Sequence, residues 1–411
     1  MIFSPPQYRR LKSRIRTRYS ARWKSIRKNF ARFPASELKT WIKNHESELS
    51  TYTNFNWFYL DQLETFFFLK SIDPRSGNQD GLSKDEDLIF DIWNDSEFAD
   101  VFLKSLNKGK SVQEASLASL KPFELHLLTL GKRHVEKIDA KSTSYRIQSV
   151  LGERLRDGKI SPLLGTTLHL DGKDLDLLTH SLKEMKLFSQ RIDLAHKLIR
   201  RFSPSSWDRF AAFTDKVIPI RNKEFVSYSH QEFPSVSMIN LYDRDFVDLM
   251  DDLLHENGHH HLNHYLNLEK LIDEPADLIY YSPWRRTARP LRGIFHAYFT
   301  FFWAFKLFSD LANNDLANIW YEFTPAEKEK IYWRAVEEFH MLKYSFEDLK
   351  WAKKKKLISD TGWEIIAAQQ KELLKFSAKI PKWERKLTTH KKDLQKLKTE
   401  LRTKKKKYSK T

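Results

Sequence analysis

His255-Glu256-Asn257-Gly258-His259 can act as a unit only if the chain is α-helical there. Residues four apart stack on one face of a helix with 3.6 residues per turn, so both imidazoles can reach one ion. Glu256 lies about 100° further round, close enough to meet a metal-bound water rather than the metal itself. In a chain of 411 residues with 15 histidines this pattern arises by accident roughly 0.04 times. The surrounding sequence therefore decides what the motif means.

Only 11 glycines among 411 residues, together with long Leu/Lys/Glu-rich stretches, point to a mainly α chain with a minor β component. The chain is long enough to bury a sizeable core. Its aromatic content of 14% excludes general disorder. The absence of cysteine excludes disulfides, thiolate zinc sites and cysteine nucleophiles, and it fits a cytoplasmic location. The net charge of +17 is concentrated at the two ends. Residues 1–33 hold eleven Lys/Arg and no acid, and residues 351–411 hold twenty Lys/Arg against six acids. No apolar signal core follows the basic start, whose Arg/Ser-rich composition suits a basic arm or a transit peptide. The most apolar run, from Gly293 to Phe305, is too short to span a bilayer, so no membrane association is expected.

Four segments are expected: a basic arm at 1–33, a helical region at 34–210, a metal-binding core at 211–350 and a basic helical region with a tail at 351–411. In the second segment, apolar residues recur at three and four over Ala35–Ser50, Trp57–Lys70, Leu88–Leu106 and Asp174–Phe202. Turn-like breaks fall at Asp73–Gly77, Asn107-Lys108-Gly109 and Asp157-Gly158. The pattern changes near 217, where Lys216–Ile220, Phe225–His230 and Val236–Leu241 read as short strands. Asp243 is then placed to cap a helix running through the motif to about Leu268. A small sheet ahead of an H-E-x-x-H helix gives a zincin-like core, in which an edge strand can hold an extended peptide. Further on, Thr324-Pro325 opens one helix and Asp360-Thr361-Gly362 precedes another. Leu387, Leu394 and Leu401 form only a weak heptad, which reads as a solvated helix, and Lys404–Lys407 as a disordered tail.

Two histidines do not complete a catalytic metal site. The metzincin extension needs glycine at 262 and histidine at 265, where the chain has Leu262 and Tyr265. Glu269 and Glu274 lie in a connecting segment rather than a helical motif. His296, in an aromatic helix nearly free of polar groups, is the candidate third ligand; a buried histidine bonded to a backbone carbonyl is the competing reading. His260, His261 and His264 are expected on other, solvent-facing sides of the helix or beside the ligands. Gly258 in mid-helix suggests close approach of another element or of substrate. Between motif and His296 lies Tyr280-Tyr281-Ser282-Pro283-Trp284-Arg285-Arg286-Thr287-Ala288-Arg289-Pro290-Leu291-Arg292-Gly293, with four arginines in eight residues. A guanidinium there can grip a carboxylate at two points, or the arginines can pair with Asp273, Glu274 and Asp277 at the surface.

The order of strands, His255-Glu256-x-x-His259, Leu262-Asn263, Tyr280–Arg285, Arg289-Pro290-Leu291 and Gly293-x-x-His296 resembles a family of H-E-x-x-H peptide-modification proteins. These are encoded beside genes for ribosomally made peptide natural products. The likeness covers about 215–310, with a fainter echo at Thr361-Gly362. It departs from the family at Gly258, where glutamine is frequent, and at His260-His261. The resemblance implies an iron(II)- and 2-oxoglutarate-dependent peptide β-hydroxylase. His255, His259 and His296 would be metal ligands, with Glu256 a competing ligand or nearby base. Arg285 or Arg289, beside Trp284, would hold the distal carboxylate of 2-oxoglutarate. A peptide substrate is implied, whose leader segment could contact the basic ends.

Two other readings remain open. One is a zinc peptidase with Glu256 as general base, which leaves the Trp–Arg segment without a role. The other is a non-enzymatic protein whose basic ends grip nucleic acid or an acidic peptide.

Overall fold

A computed structural model describes residues 3–30, 36–52, isolated positions between 56 and 66 and between 105 and 132, 167–170 and 173–176. It also describes 182–408 except for 221–222, 224–225, 230–234, 274–278, 315, 317–318 and 320. The protein is mainly helical with small sheets. It divides into two compact units, Met1–Ile15 with Lys141–Thr411, and Arg16–Ala140. No helix among the described residues is long and apolar enough to cross a membrane.

The acid-free start is helical: α1 spans Pro5–Phe30. Tyr8, Leu11, Ile15, Tyr19, Trp23 and Ile26 recur every three or four residues and are all buried, a packed stripe beneath the arginines. The expected free arm is thus an amphipathic helix, because its period outweighs its charge. Within Arg16–Ala140, the expected helix Ala35–Ser50 is two, α2 (Glu37–Asn44) and α3 (Glu46–Ser50), parted at His45. Ser36 caps α2 by accepting the Lys39 N–H. Described positions between 56 and 66 are helical. Leu38, Trp41, Leu49, Trp57, Tyr59 and Leu63 are among this unit's buried residues. Arg22 donates to Glu64 at 2.9 Å and lies 4.8 Å over the Trp57 ring. Gly109, in the expected turn, has φ of 77°. Apart from Ser105, the helix expected at Leu88–Leu106 lies outside the described residues, as do the turns at Asp73–Gly77 and Asp157-Gly158.

In the larger unit, β1 (Thr167–Leu170) pairs antiparallel with β2 (Lys173–Asp176), and α4 follows only at Leu182–Phe202. This corrects the helix expected from Asp174. Leu168-His169-Leu170 and Asp174-Leu175-Asp176 alternate with period two about Asp171-Gly172, a hairpin pattern. After α5 (Pro204–Phe213) come β3 (Lys216–Ile220), β4 (Tyr228–Ser229) and β5 (Val236–Asn240), in spatial order β3-β5-β4. β3 runs parallel to β5 and β4 antiparallel to it. Pro219 is tolerated because β3 is an edge strand.

The motif helix α6 spans Phe246–Leu266. Its cap is Asp245, not Asp243: Asp245 accepts the Asp248 N–H while Asp248 accepts the Asp245 N–H. Asp243 has φ of 52°, in the left-handed region where the chain turns from sheet to helix. α6 is buried on nearly every side. The hairpin β6 (Ile279–Ser282) and β7 (Thr287–Pro290) leads directly into α7 (Leu291–Asn313), whose buried residues include Phe295, Phe299, Phe302 and Trp303. α8 (Pro325–Lys354) begins with a capping box between Thr324 and Glu327. α9 (Asp360–Leu374) is capped by Ser359, so Asp360-Thr361-Gly362 forms its first turn. After α10 (Ile380–Glu384) comes α11 (Lys391–Tyr408). α11 is neither a solvated helix nor a disordered tail: Leu394, Leu397 and Leu401 are buried, and Leu397 and Leu401 cluster with Met341 of α8.

α6 and α7 meet at Gly258. A Cβ there would stand 3.1 Å from Thr300 Cα and 3.2 Å from its Cγ2, so a side chain would have to push the Thr300 backbone back by a few tenths of an ångström. Gly258→Val should lower stability by about 1–3 kcal/mol through overpacking, read as a reduced midpoint of denaturant unfolding at unchanged m-value.

Candidate metal centre

Three elements converge at the site. α6 supplies His255, Glu256 and His259, α7 supplies His296 in its second turn, and β4 supplies Ser229. Among the described residues, His255, Glu256 and His259 form the group of possible ligands with atoms within 4.8 Å of one another. His255 Nε2 and His259 Nε2 are 3.1 Å apart. One ion with bonds of about 2.1 Å at about 90–110° holds two imidazole nitrogens roughly 3.0–3.4 Å apart, so the pair fits. The His255 and His259 ring centres stand 4.8 Å apart, and those of His259 and His296 5.0 Å. Imidazoles on one ion place their ring centres roughly 4.6–5.3 Å apart. His296 lies outside the tighter group, with its ring centre at a distance from His259 compatible with two imidazoles on one ion. Its ring makes no hydrogen bond to a backbone carbonyl among the described residues; its own carbonyl accepts from Thr300 Oγ1 at 3.0 Å.

All three rings are half-buried, leaving an edge accessible, while the surrounding protein disfavours their charged forms. Burial, then the charges of Arg334, Arg285 and Arg209, lower His255 to about 3. Burial followed by its histidine neighbours and Arg285 holds His259 well below the usual histidine range. Burial, with Arg292 and His255 adding to it, lowers His296 to about 4. Neutral imidazole is the form a metal takes. Glu256 is buried and accepts a hydrogen bond from Ser229 Oγ at 2.6 Å. Burial raises it to about 8, opposed by the Ser229 bond and reinforced by Asp252. These donors fit a divalent transition metal with imidazole preference.

The other histidines of α6 face the core, contrary to the expectation of solvent-facing rings. His260 is paired with Ser237 Oγ at 3.2 Å, and His264 Nδ1 lies 2.8 Å from the His260 carbonyl. His261 is fully buried and stacked on Phe213 with ring centres 4.3 Å apart. The reason is that α6 is enclosed on most sides, and the part-exposed side that remains is the one bearing His255 and His259. Asn257 donates to Thr214 Oγ1 at 2.7 Å, and Arg209 donates to the Leu254 carbonyl at 3.0 Å. These bonds fix the rotation of α6 and hence the direction of His255 and His259.

The Trp–Arg segment forms the turn between β6 and β7, and its members take different places. Trp284 stacks on Phe301 with ring centres 5.0 Å apart and planes 7° from parallel, and Phe301 in turn abuts His255 at 4.3 Å. Arg285 is exposed, and its charge bears on both His255 and His259. It has no carboxylate partner among the described residues; its backbone N–H lies 3.5 Å from Ser282 Oγ. Asp273 pairs instead with Lys270 at 2.7 Å, while Glu274 and Asp277 lie outside the described residues. Arg289 is exposed on β7 opposite Tyr280, and Arg286 lies 3.9 Å from Glu400.

Sequence reasoning missed Ser229, Phe301, Arg334 and Glu338. No local pattern marks them: Ser229, Arg334 and Glu338 come from elements separated in sequence, and Phe301 is one of many aromatic residues on α7. A scan against protein-family models found no match to this chain, and a search of curated proteins found none.

Replacing His255 or His259 by alanine should abolish tight Fe(II) or Zn(II) binding. His296→Ala should weaken it at least tenfold, as measured by metal stoichiometry at buffered free metal; full retention would remove His296 from the centre.

Proposed function

We propose that this protein is an iron(II)- and 2-oxoglutarate-dependent oxygenase that hydroxylates a side-chain β-carbon of a ribosomally made peptide during its maturation. The observation that carries this reading is Arg285, a guanidinium without a carboxylate partner among the described residues, whose charge bears on two histidines spaced for one ion. A guanidinium beside the centre suits the distal carboxylate of a dianionic co-substrate.

His255, His259 and His296 would hold the iron, leaving positions open for small ligands. When bound, iron supplies the oxidative step in which 2-oxoglutarate and O2 become succinate and CO2 as a peptide C–H becomes C–OH. The protein's own residues bind and orient. Arg285 receives the distal carboxylate, and Arg289 adds positive potential nearby. Phe301 and Trp284 present an apolar wall beside His255 that excludes water. Ser229 holds one oxygen of Glu256, fixing that carboxylate against β4. β4 ends the sheet in the described residues, and Val226 just before it is exposed. A peptide adding to that edge would run past Glu256, as in a zincin-like core. The exposed arginines of α1 offer its leader an electrostatic contact. The absence of cysteine suits action in the cytoplasm.

The zinc peptidase reading uses the same histidines with Glu256 as base, so product identity separates the two. With protein purified without oxygen and loaded with Fe(II), candidate peptides should gain one oxygen with stoichiometric succinate. Peptide cleavage with Zn(II), and no succinate under any condition, would overturn the oxygenase. Arg285→Ala should raise the 2-oxoglutarate concentration for half-maximal rate about tenfold or more, the loss of one charge-assisted contact.

A further inference from the structure

We infer that Glu338 is a positioning residue, holding the turn that carries Arg285 by fixing the indole of Trp284. This rests on the proposed oxygenase function.

The turn at residues 283–286 is closed at its base by the pairing of Ser282 with Thr287, and its orientation toward α8 is set by side chains. It lies between two short strands, and Arg286 within it has φ of 51°, in the left-handed region. Within it the Arg285 N–H lies 3.5 Å from Ser282 Oγ, a weak contact. Trp284 fastens it to α8, while Arg286 lies 3.9 Å from Glu400. Trp284 donates through its Nε1–H to Glu338 Oε2 at 2.8 Å, its ring lies flat on Phe301, and its edge packs against the cluster of Met341, Leu397 and Leu401. Stacking alone allows an indole to slide or flip in its plane; the hydrogen bond selects one orientation.

Glu338 is in turn fixed. It is fully buried on α8, where Arg334 Nη2 lies 2.9 Å from its other oxygen as an ion pair without hydrogen-bond alignment. Arg334 also pairs with Glu337 at 2.6 Å and with Asp251 at 2.5 Å. Asp251 sits on α6 one turn before His255. A continuous path therefore joins the metal helix to Arg334, Glu338, Trp284 and Arg285. A carboxylate buried at this depth is costly unless its partners are held in place, and these partners connect the two halves of the site.

Loss of the indole hydrogen bond should leave Arg285 charged but misplaced. The defect should therefore fall on 2-oxoglutarate binding more than on turnover. In the full-length iron-loaded protein, Glu338→Ala and Trp284→Phe should each raise the KM for 2-oxoglutarate at least tenfold, with kcat falling less than KM rises. The double variant should be no worse than the weaker single, because both remove one interaction. Glu338→Gln keeps an acceptor for the indole and should recover most of the KM. If Glu338→Ala does not fold, Trp284→Phe, which retains the stacked ring, carries the test. Unchanged KM in Trp284→Phe, or equal losses in kcat and kcat/KM with no rescue by Glu338→Gln, would overturn the inference alone. Failure of the wild-type iron-loaded protein to bind 2-oxoglutarate would overturn the oxygenase reading and this inference with it.

Discussion

The contact between Gly258 and Thr300 sets the geometry on which the site depends. Two helices lined with bulky aromatic and aliphatic residues ordinarily stand 8–10 Å apart. Here the missing Cβ lets the Thr300 backbone come within van der Waals reach of α6. Thr300 is one turn after His296, and Gly258 immediately precedes His259. This tight contact between the helices therefore lies next to the point where imidazoles from both meet. A larger residue at 258 would move His296 away from the histidine pair, whatever its effect on helix propensity.

That close approach puts α6 in the interior, which changes the meaning of its polar residues. Asn257, His260 and His264 each find a protein partner, and Asp251 and Asp252 are paired with Arg334 and Arg244. Such bonds contribute little net free energy, but leaving any one unmade in the core would cost about 1–3 kcal/mol. They act chiefly as selectors of one helix rotation. With that rotation fixed, His255 and His259 face the opening while the other histidines serve the core. The same logic extends outward, since Arg334 joins α6 to α8 and Glu338 joins α8 to the turn at 283–286.

Periodicity was the most legible signal. The strands at 216–220 and 236–240, the motif helix and the opening of α8 at Thr324 all follow from local pattern. The two failures of pattern reading have separate causes. The stretch from Asp174 was assigned to a helix although Asp171-Gly172 sits between two alternating runs. The first 33 residues and the C-terminal segment were read by charge. Their regularly spaced Tyr, Trp and Leu residues, now seen buried in α1 and α11, carried the structural information. Lysine and arginine dominate composition without deciding packing, because their heads can stay in water while an apolar stripe is buried. The candidate site was half legible. Its ligands and arginines lie in motifs, whereas Ser229, Phe301 and Glu338 lie in ordinary strand and helix sequence.

By itself the sequence determined that residues 255–259 form a helical face with two histidines, and that a cysteine-free chain must build any metal centre from nitrogen and oxygen donors. Both follow from covalent spacing and residue chemistry. Only the tertiary structure decided that His296 stands beside His259, that the remaining histidines of α6 are core residues, and that Trp284 of the turn at 283–286 is tied to Glu338 of α8. Those facts depend on how close two helices come and how one turn is braced. Such distances arise from packing between segments far apart in the chain, and no local pattern encodes them.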